Sequence, residues 1–199
     1  GAVPEALAGA RALGLGGLSV TMPHKEAVAE ACDRLSGDAA VLGAVNCVVP
    51  DGGELVGHNT DGAGFVAALA ADDIDPAGRR CVVLGAGGAA RSVALALARA
   101  GVEEVAVVNR TEQRARRAVA LLGDRGRVVA PAEVPEAVRS AELVVNATPI
   151  GMGRPGPDDL PVDPGLLRAG QVVVDLVYQP IETPLLAAAG ARGAVAVNG

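Results

Sequence analysis

Of the 17 lysines and arginines in this chain, only Lys25 is a lysine. It closes the segment Leu18-Ser19-Val20-Thr21-Met22-Pro23-His24-Lys25. Arginine stays protonated at working pH, whereas a lysine amine can be tuned by burial and neighbours into a proton donor or acceptor. A chain that uses arginine everywhere else has kept one group capable of moving a proton. The alternative is composition bias with one leftover surface lysine.

A second chemical signal lies at Val82-Val83-Leu84-Gly85-Ala86-Gly87-Gly88-Ala89-Ala90. An apolar run expected to be a strand meets a glycine-rich turn and then an expected helix, the context that the G-x-G-x-x-A dinucleotide fingerprint requires. Gly85 permits the tight turn, Gly87 lets backbone approach a pyrophosphate, and Ala90 allows close helix–strand packing. The free N–H groups at the helix start attract phosphate. An NAD site would carry an acid at the end of the next strand. Here that strand ends Val107-Val108-Asn109-Arg110-Thr111, with Arg114 one turn on. Arg110 and Arg114 can face a ribose 2′-phosphate with paired donors, and Thr111 adds a hydroxyl. NADP is therefore the expected cofactor. Arg114 also reads as a solvated helix residue in the run Arg114, Arg116, Arg117.

The elements that must position these groups follow from periodicity and punctuation. Helices are expected over 3–14, 24–35 and 61–71, a strand over 17–21, and two short strands over 44–49 and 54–56 across the turn Asp51-Gly52-Gly53. Asp72-Asp73-Ile74-Asp75-Pro76-Ala77-Gly78 reads as a domain linker. Strands are then expected over 81–84, 105–108, 128–129, 143–146, 172–175 and 194–197, interleaved with helices over 89–100, 112–122, 132–140 and 183–189. This alternation implies parallel βαβ units. Residues 152–164, rich in Gly, Pro and Asp, read as a loop. The fold class is α/β: a partial α/β substrate-binding domain over residues 1–75 and a Rossmann-like NADP-binding domain over 76–199.

Composition bounds the rest. Half of the 199 residues are hydrophobic, but only Phe65 and Tyr178 are aromatic, so the core is aliphatic. The net charge of −6 and the lack of stacking aromatics argue against a nucleic-acid surface. No apolar run reaches membrane-span length, and no signal peptide is visible. Cys32, Cys47 and Cys81 form no C-x-x-C and no Cys/His cluster, so no metal site is expected and reduced thiols in a cytoplasmic protein are. His24 and His58 lack partner motifs and read as supporting or surface residues.

Four of the five asparagines, Asn46, Asn59, Asn109 and Asn146, close recognisable segments or follow strands. Such a residue both donates and accepts at a site edge, although any one alone is commonly a turn residue. Taken together, seven segments resemble shikimate dehydrogenases, in family order across nearly the whole chain. They are Ser19-Val20-Thr21-Met22-Pro23-His24-Lys25, Gly43-Ala44-Val45-Asn46, the run from Gly57 to Phe65 through Asn59-Thr60-Asp61-Gly62, Gly85-Ala86-Gly87-Gly88-Ala89, Asn109-Arg110-Thr111, the run from Asn146 to Met152, and Asp175-Leu176-Val177-Tyr178-Gln179-Pro180. The resemblance implies reversible NADPH-dependent reduction of 3-dehydroshikimate to shikimate, in aromatic amino-acid biosynthesis. It implies that Lys25 and Asp61 are the catalytic pair, that Thr21, Asn46 and Asp61 bind substrate hydroxyls, and that Tyr178 lies near the substrate. Gly85, Ala86, Gly87, Gly88, Ala89, Asn109, Arg110, Thr111, Arg114 and Gly199 would hold NADP, with Thr148 and Leu176 on the nicotinamide side.

The chemistry agrees. A ketone accepting hydride develops an alkoxide, which needs a proton donor and a positive charge. A lysine ammonium supplies both, and a carboxylate beside it holds the amine. An ordinary surface ion pair is the competing reading. The family pattern also includes an N-terminal strand with a Ser-x-Ser stretch and a C-terminal helix with a substrate-binding glutamine. Neither is present, so the chain is expected to be the middle of a longer protein, binding NADP better than it turns over substrate. Ser19 and Cys47 stand where asparagine and threonine are common. A quinate or amino-shikimate dehydrogenase, a non-catalytic NADP sensor, and a glutamyl-tRNA reductase-like enzyme are the alternatives. The last would want a catalytic cysteine and a basic surface. The expected partner is a small-molecule substrate, without nucleic acid or membrane, in a monomer or homodimer.

Overall fold

Pro4 and Glu5 at the front and Arg11 at the back bracket helix α1, Val3–Ala12, which buries Leu7 and Ala10 and runs out before Gly14 at φ +62°. Pro and acids favour the first helical turn, bases the last, and glycine the left-handed exit. The computed structural model describes residues 2–156 and 158–199. Residue 157, inside the expected loop over 152–164, lies outside the described residues. The chain divides into two compact units, Gly1–Gly64 and Phe65–Gly199.

In the first unit, strand β1 (Leu18–Ser19) is followed by helix α2 (Lys25–Ala31), strand β2 (Arg34–Leu35), helix α3 (Gly37–Leu42), and strands β3 (Cys47–Asp51) and β4 (Glu54–His58). The sheet order is β1-β3-β4-β2, with β3 antiparallel to β1 and β4, and β2 parallel to β4. The β3–β4 hairpin turns on Gly52 and Gly53, both at positive φ, +59° and +88°. Two successive positive-φ positions give the twist that suits a two-residue hairpin. The single helix expected over 24–35 is not what forms. It stops at Ala31 because Asp33 is claimed by tertiary bonds: its N–H donates to the Leu55 carbonyl (3.1 Å), and its carboxylate accepts from Leu55 N–H (2.6 Å) and Arg11 (2.5 Å). Helix α3 was not expected either, although Ser36 before it and left-handed Gly43 after it are ordinary start and stop signals. Leu7, Val28, Ala29, Ala39, Val45, Val48 and Leu55 make the core.

Helix α4, Asp61–Ala71, carries the division between the units. Within the expected linker Ile74 is buried, with its N–H on the Leu69 carbonyl at 2.9 Å. The second unit then alternates β5 (Arg80–Leu84), α5 (Gly88–Arg99), β6 (Glu104–Val108), α6 (Glu112–Val119), β7 (Gly126–Val128), α7 (Val134–Ser140), β8 (Leu143–Asn146), β9 (Val172–Asp175), α8 (Pro184–Ala191) and β10 (Val195–Asn198). The helix expected over 132–140 begins as a 3-10 turn, Pro131–Glu133. All six strands are parallel, in the order β10-β9-β8-β5-β6-β7. Counted within the unit this is 3-2-1-4-5-6, whose direction reverses between β5 and β8, the crevice where such sheets bind ligands. Val82, Val144, Val173 and Leu185 anchor one core face. Among the described residues no helix is long and apolar enough to cross a membrane.

Candidate active site

Lys25 is the first residue of α2. Its carbonyl accepts from Val45 N–H at 2.9 Å, which pins the start of the helix beside Asn46. Asn46 is itself bridged into the sheet: its N–H donates to the His58 carbonyl (2.9 Å) and its carbonyl accepts from Val20 (2.8 Å). Asp61 opens α4, where an acid suits the positive end of a helix. These three placements bring together side chains far apart in sequence. Lys25 Nζ lies 2.6 Å from Asp61 Oδ2, and Asn46 Nδ2 donates to Asp61 Oδ1 at 2.6 Å. The Lys25 and Asp61 side chains retain 20% and 25% exposure, so they are reachable yet partly desolvated.

Two residues outside the expected set complete the cluster. Thr60 is locked to Asn46, with its N–H on Asn46 Oδ1 at 3.0 Å and its Oγ1 accepting from Asn46 Nδ2 at 3.0 Å. Asn59, 9% exposed, donates to the Ala44 carbonyl (3.0 Å) and accepts from Asp61 N–H (3.2 Å). It thus holds the backbone that carries the carboxylate. The Asn-x-Asp spacing is the signature of such a turn, and could have pointed to Asn59. Thr21 sits in the turn entering α2, its carbonyl accepting from His24 N–H at 3.0 Å. Among the described residues its hydroxyl makes no hydrogen bond. His58 is bound through Nδ1 to Ser36 Oγ at 2.6 Å, and His24 lines an apolar groove with Val3, Leu7 and Ala27.

The second unit presents a different surface at the carboxyl ends of its strands. Gly85 follows β5 at φ +111°, and a Cβ there would lie 3.0 Å from the Ala147 carbonyl oxygen, so only glycine fits. Gly87 caps α5, and a Cβ on Gly87 or Gly88 would meet nothing within 4 Å, leaving open space at the helix N-terminus. Ala90, 1% exposed, packs the helix close. Beyond β6, Asn109 Nδ2 donates to the Thr111 carbonyl at 2.9 Å, and Thr111 stands at the N-cap position of α6 without a side-chain capping bond. Glu112 holds Arg116 at 2.5 Å, whereas among the described residues no side-chain partner engages Arg110 or Arg114. Open helix-start N–H groups and two exposed guanidiniums suit a phosphorylated ligand.

Beyond β8 and β9, Thr148 Oγ1 donates to Asn146 Oδ1 (2.7 Å), Leu176 N–H to the Asn146 carbonyl (2.9 Å), and Gly199 N–H to the Asp175 carbonyl (2.8 Å). A Cβ on Gly199 would meet that carbonyl at 2.9 Å. Tyr178 belongs to this unit and is 69% exposed. The three cysteines are free; burial pushes the Cys81 thiol up to about 12, and burial with nearby Asp33 raises that of Cys32. Among the described residues no group of three or more His, Cys, Asp or Glu is gathered to hold a metal.

A doubly wound parallel sheet with a glycine-rich first crossover, in one chain with a small α/β unit holding an ammonium–carboxylate–amide cluster, has the architecture of a dinucleotide-dependent oxidoreductase. Comparison with known proteins narrows the class. The family model of the shikimate dehydrogenase substrate binding domain matches residues 1–48, and that of shikimate / quinate 5-dehydrogenase matches residues 68–151. The shikimate dehydrogenase (NADP(+)) of Symbiobacterium thermophilum is 48% identical, aligned over 98% of this chain and 69% of its own length. Shikimate 5-dehydrogenase from Thermus thermophilus, solved in complex with NADP(H) and shikimate, superposes with a TM-score of 0.85 at 40% identity, over 97% of this chain and 70% of that one. Quinate dehydrogenase from Corynebacterium glutamicum, solved in complex with NAD, gives 0.89 at 36% identity, over 98% and 70%. The chain belongs to the shikimate dehydrogenase family.

Proposed function

We propose that this protein catalyses the reversible NADPH-dependent reduction of 3-dehydroshikimate to shikimate, a step towards the aromatic amino acids. The observation that carries this reading is the Lys25–Asp61–Asn46 cluster, closed by two contacts of 2.6 Å in the unit whose residues 1–48, Lys25 and Asn46 among them, match the family model of a substrate binding domain. Bound NADPH supplies a hydride to the carbonyl carbon. Lys25 gives the proton that the resulting alkoxide oxygen takes up, and its positive charge stabilises that oxygen as charge develops. Asp61 keeps the ammonium aimed and, with Asn46 and Thr21, binds substrate hydroxyls. In the reverse direction Lys25, as the amine, would take the hydroxyl proton while the hydride passes from carbon to NADP+.

The cofactor half is the Rossmann-like domain, which we place at 76–199, with the substrate half at 1–75. Gly85, Ala86, Gly87, Gly88 and Ala89 cradle the pyrophosphate at the start of α5. Asn109, Arg110, Thr111 and Arg114 take the adenosine ribose and its 2′-phosphate. Thr148 and Leu176 would line the nicotinamide side, Gly199 would also hold the cofactor, and Tyr178 would lie near the substrate. The exposed, unengaged guanidiniums of Arg110 and Arg114 support NADP over NAD. The same reaction class on quinate is the second reading, favoured by the likeness to quinate dehydrogenase. The free thiols support a reducing compartment, and we place the protein in the cytoplasm as a monomer or homodimer.

The test is NADPH oxidation with 3-dehydroshikimate beside oxidation of shikimate and quinate, for the full-length natural protein and its Lys25→Ala variant. Turnover of 3-dehydroshikimate that is lost in the variant, with NADPH binding retained, is expected. Turnover of quinate alone moves the assignment to quinate, and NADPH binding without turnover of any of the three moves it to a sensor.

A further inference from the structure

The second unit contains a fully buried carboxylate that the proposed chemistry does not use. Asp175, the last residue of β9, is 0% exposed. Its partners are all neutral donors. Oδ1 accepts from Asn146 Nδ2 at 2.8 Å and from Val177 N–H at 3.0 Å, and Oδ2 accepts from Thr183 Oγ1 at 2.6 Å. Asn146 and Thr183 are also 0% exposed. Each passes the contact on. Asn146 Oδ1 accepts from Thr148 N–H (3.0 Å) and Thr148 Oγ1 (2.7 Å), and Asn146 Nδ2 donates to the Ile150 carbonyl (3.3 Å). Thr183 Oγ1 accepts from Leu186 N–H (3.2 Å) and so caps α8. Asn198 Nδ2 clasps the same loop from β10, on the Val177 (3.1 Å) and Ile181 (2.8 Å) carbonyls.

Burying a carboxylate without a cation is costly, and for folding alone a well-packed apolar group serves as well or better. What an apolar group could not do is hold two loops in register. Asn146 and Asp175 are direct register partners on neighbouring strands. Their side chains join the loop after β8 to the loop after β9, at the carboxyl ends where a doubly wound sheet binds its ligand. The fold has two mononucleotide-binding halves. The glycine-rich turn after β5 and the guanidiniums after β6 belong to the phosphate and adenosine half. The half built from β8, β9 and β10 is therefore left for the nicotinamide.

We propose that Asp175 is a positioning residue that, through Asn146, Val177 and Thr183, fixes the loops 147–150 and 176–182 and thereby sets the seat of the nicotinamide half of the cofactor without bearing on the adenosine half. This rests on the reading that NADP(H) binds the second unit.

The test uses Asp175→Asn, which keeps the shape but removes one acceptor, so that the buried Thr183 hydroxyl loses the oxygen it donates to. NADPH binding is followed by its own fluorescence, and binding of 2′-phospho-ADP-ribose, which lacks nicotinamide, by competition. The affinity for NADPH should fall about tenfold, as expected for one buried unsatisfied group. The affinity for 2′-phospho-ADP-ribose should stay within about twofold of the parent, because the proposal leaves the adenosine half untouched. The kcat should fall about 100-fold, the usual effect of a misplaced reacting group, with the KM for 3-dehydroshikimate little changed. An equal loss for the two ligands overturns the proposal, as does a lowered melting temperature with kcat and NADPH affinity intact. Should Asp175→Asn fail to fold, Thr183→Val decides by the same readouts, with Thr183→Ser expected to restore most of what valine loses. A parent protein that binds neither ligand refutes the NADP reading itself, a result distinct from failure of the Asp175 assignment.

Discussion

Replacing Lys25 with methionine keeps the length of the side chain and removes its charge and proton. The structural cost is bounded by the geometry. The Lys25–Asp61 contact is 2.6 Å, but its partners keep 20% and 25% exposure, and Asp61 retains its bond from Asn46. Water can rehydrate the carboxylate, so the pair contributes about 1 kcal/mol. For a chain of this length that is a fall in melting temperature of about 2–4 °C. The catalytic cost is larger: losing a positioned proton donor lowers kcat by about 10²- to 10⁴-fold, or about 3–5 kcal/mol of barrier. Lys25→Arg separates charge from proton transfer, because guanidinium keeps the first and cannot perform the second. It should therefore recover no more than about tenfold of the loss, the smaller part that charge alone can supply. The assay is NADPH oxidation at saturating 3-dehydroshikimate, with NADPH binding and thermal melting measured on the same samples. A folded Lys25→Met protein that binds NADPH and keeps more than about a tenth of the parent kcat would refute the proton-donor role.

Other expectations test other links. The double change Arg110→Ala with Arg114→Ala should weaken NADPH binding about tenfold or more through loss of charge-assisted bonds and leave NADH binding unchanged; equal weakening of both would remove the 2′-phosphate assignment. Gly57→Ala should destabilise the first unit by about 2 kcal/mol through overpacking, since a Cβ there would lie 2.5 Å from Val45 Cγ2 and 2.8 Å from Leu35 Cδ2; an unchanged denaturation midpoint would contradict that packing. The carboxyl of Asp33 is held below the usual range, first by the Leu55 N–H and then by the Arg11 side chain. Its folded pKa is below its unfolded one, so its stabilisation is complete above the ordinary aspartate pKa and is lost as pH falls through the folded value. Melting temperature should accordingly drop more steeply below about pH 4 in the parent than in Asp33→Asn, given the ordinary aspartate range; parallel curves would discount the link.

Local pattern was enough for much of the molecule. The regular alternation after residue 80, the glycine-rich turn after β5, helix α4 over Asp61–Ala71 and the hairpin glycines all follow from short-range rules of periodicity, steric freedom at glycine and helix termini. Lys25 stood out by composition, and Arg110 and Arg114 by what a strand end lacked. Where tertiary bonds outweighed local preference, the expectation failed: the helix from Lys25 stops at Ala31 because Arg11 and Leu55 claim Asp33.

Only the folded chain decided which of these residues meet. Nothing local relates Lys25 to Asp61, 36 positions apart, or Asn146 to Asp175, 29 apart. The first pair meets because Asn46, bridged between Val20 and His58, sets where the starts of α2 and α4 converge. The second meets because β8 and β9 run parallel in one register. Asn59 and Thr183 gained their roles in the same way, as single side chains bonding two segments at once. Periodicity reports which face of an element is buried; strand order and register, which are properties of the whole sheet, determine what that face is buried against.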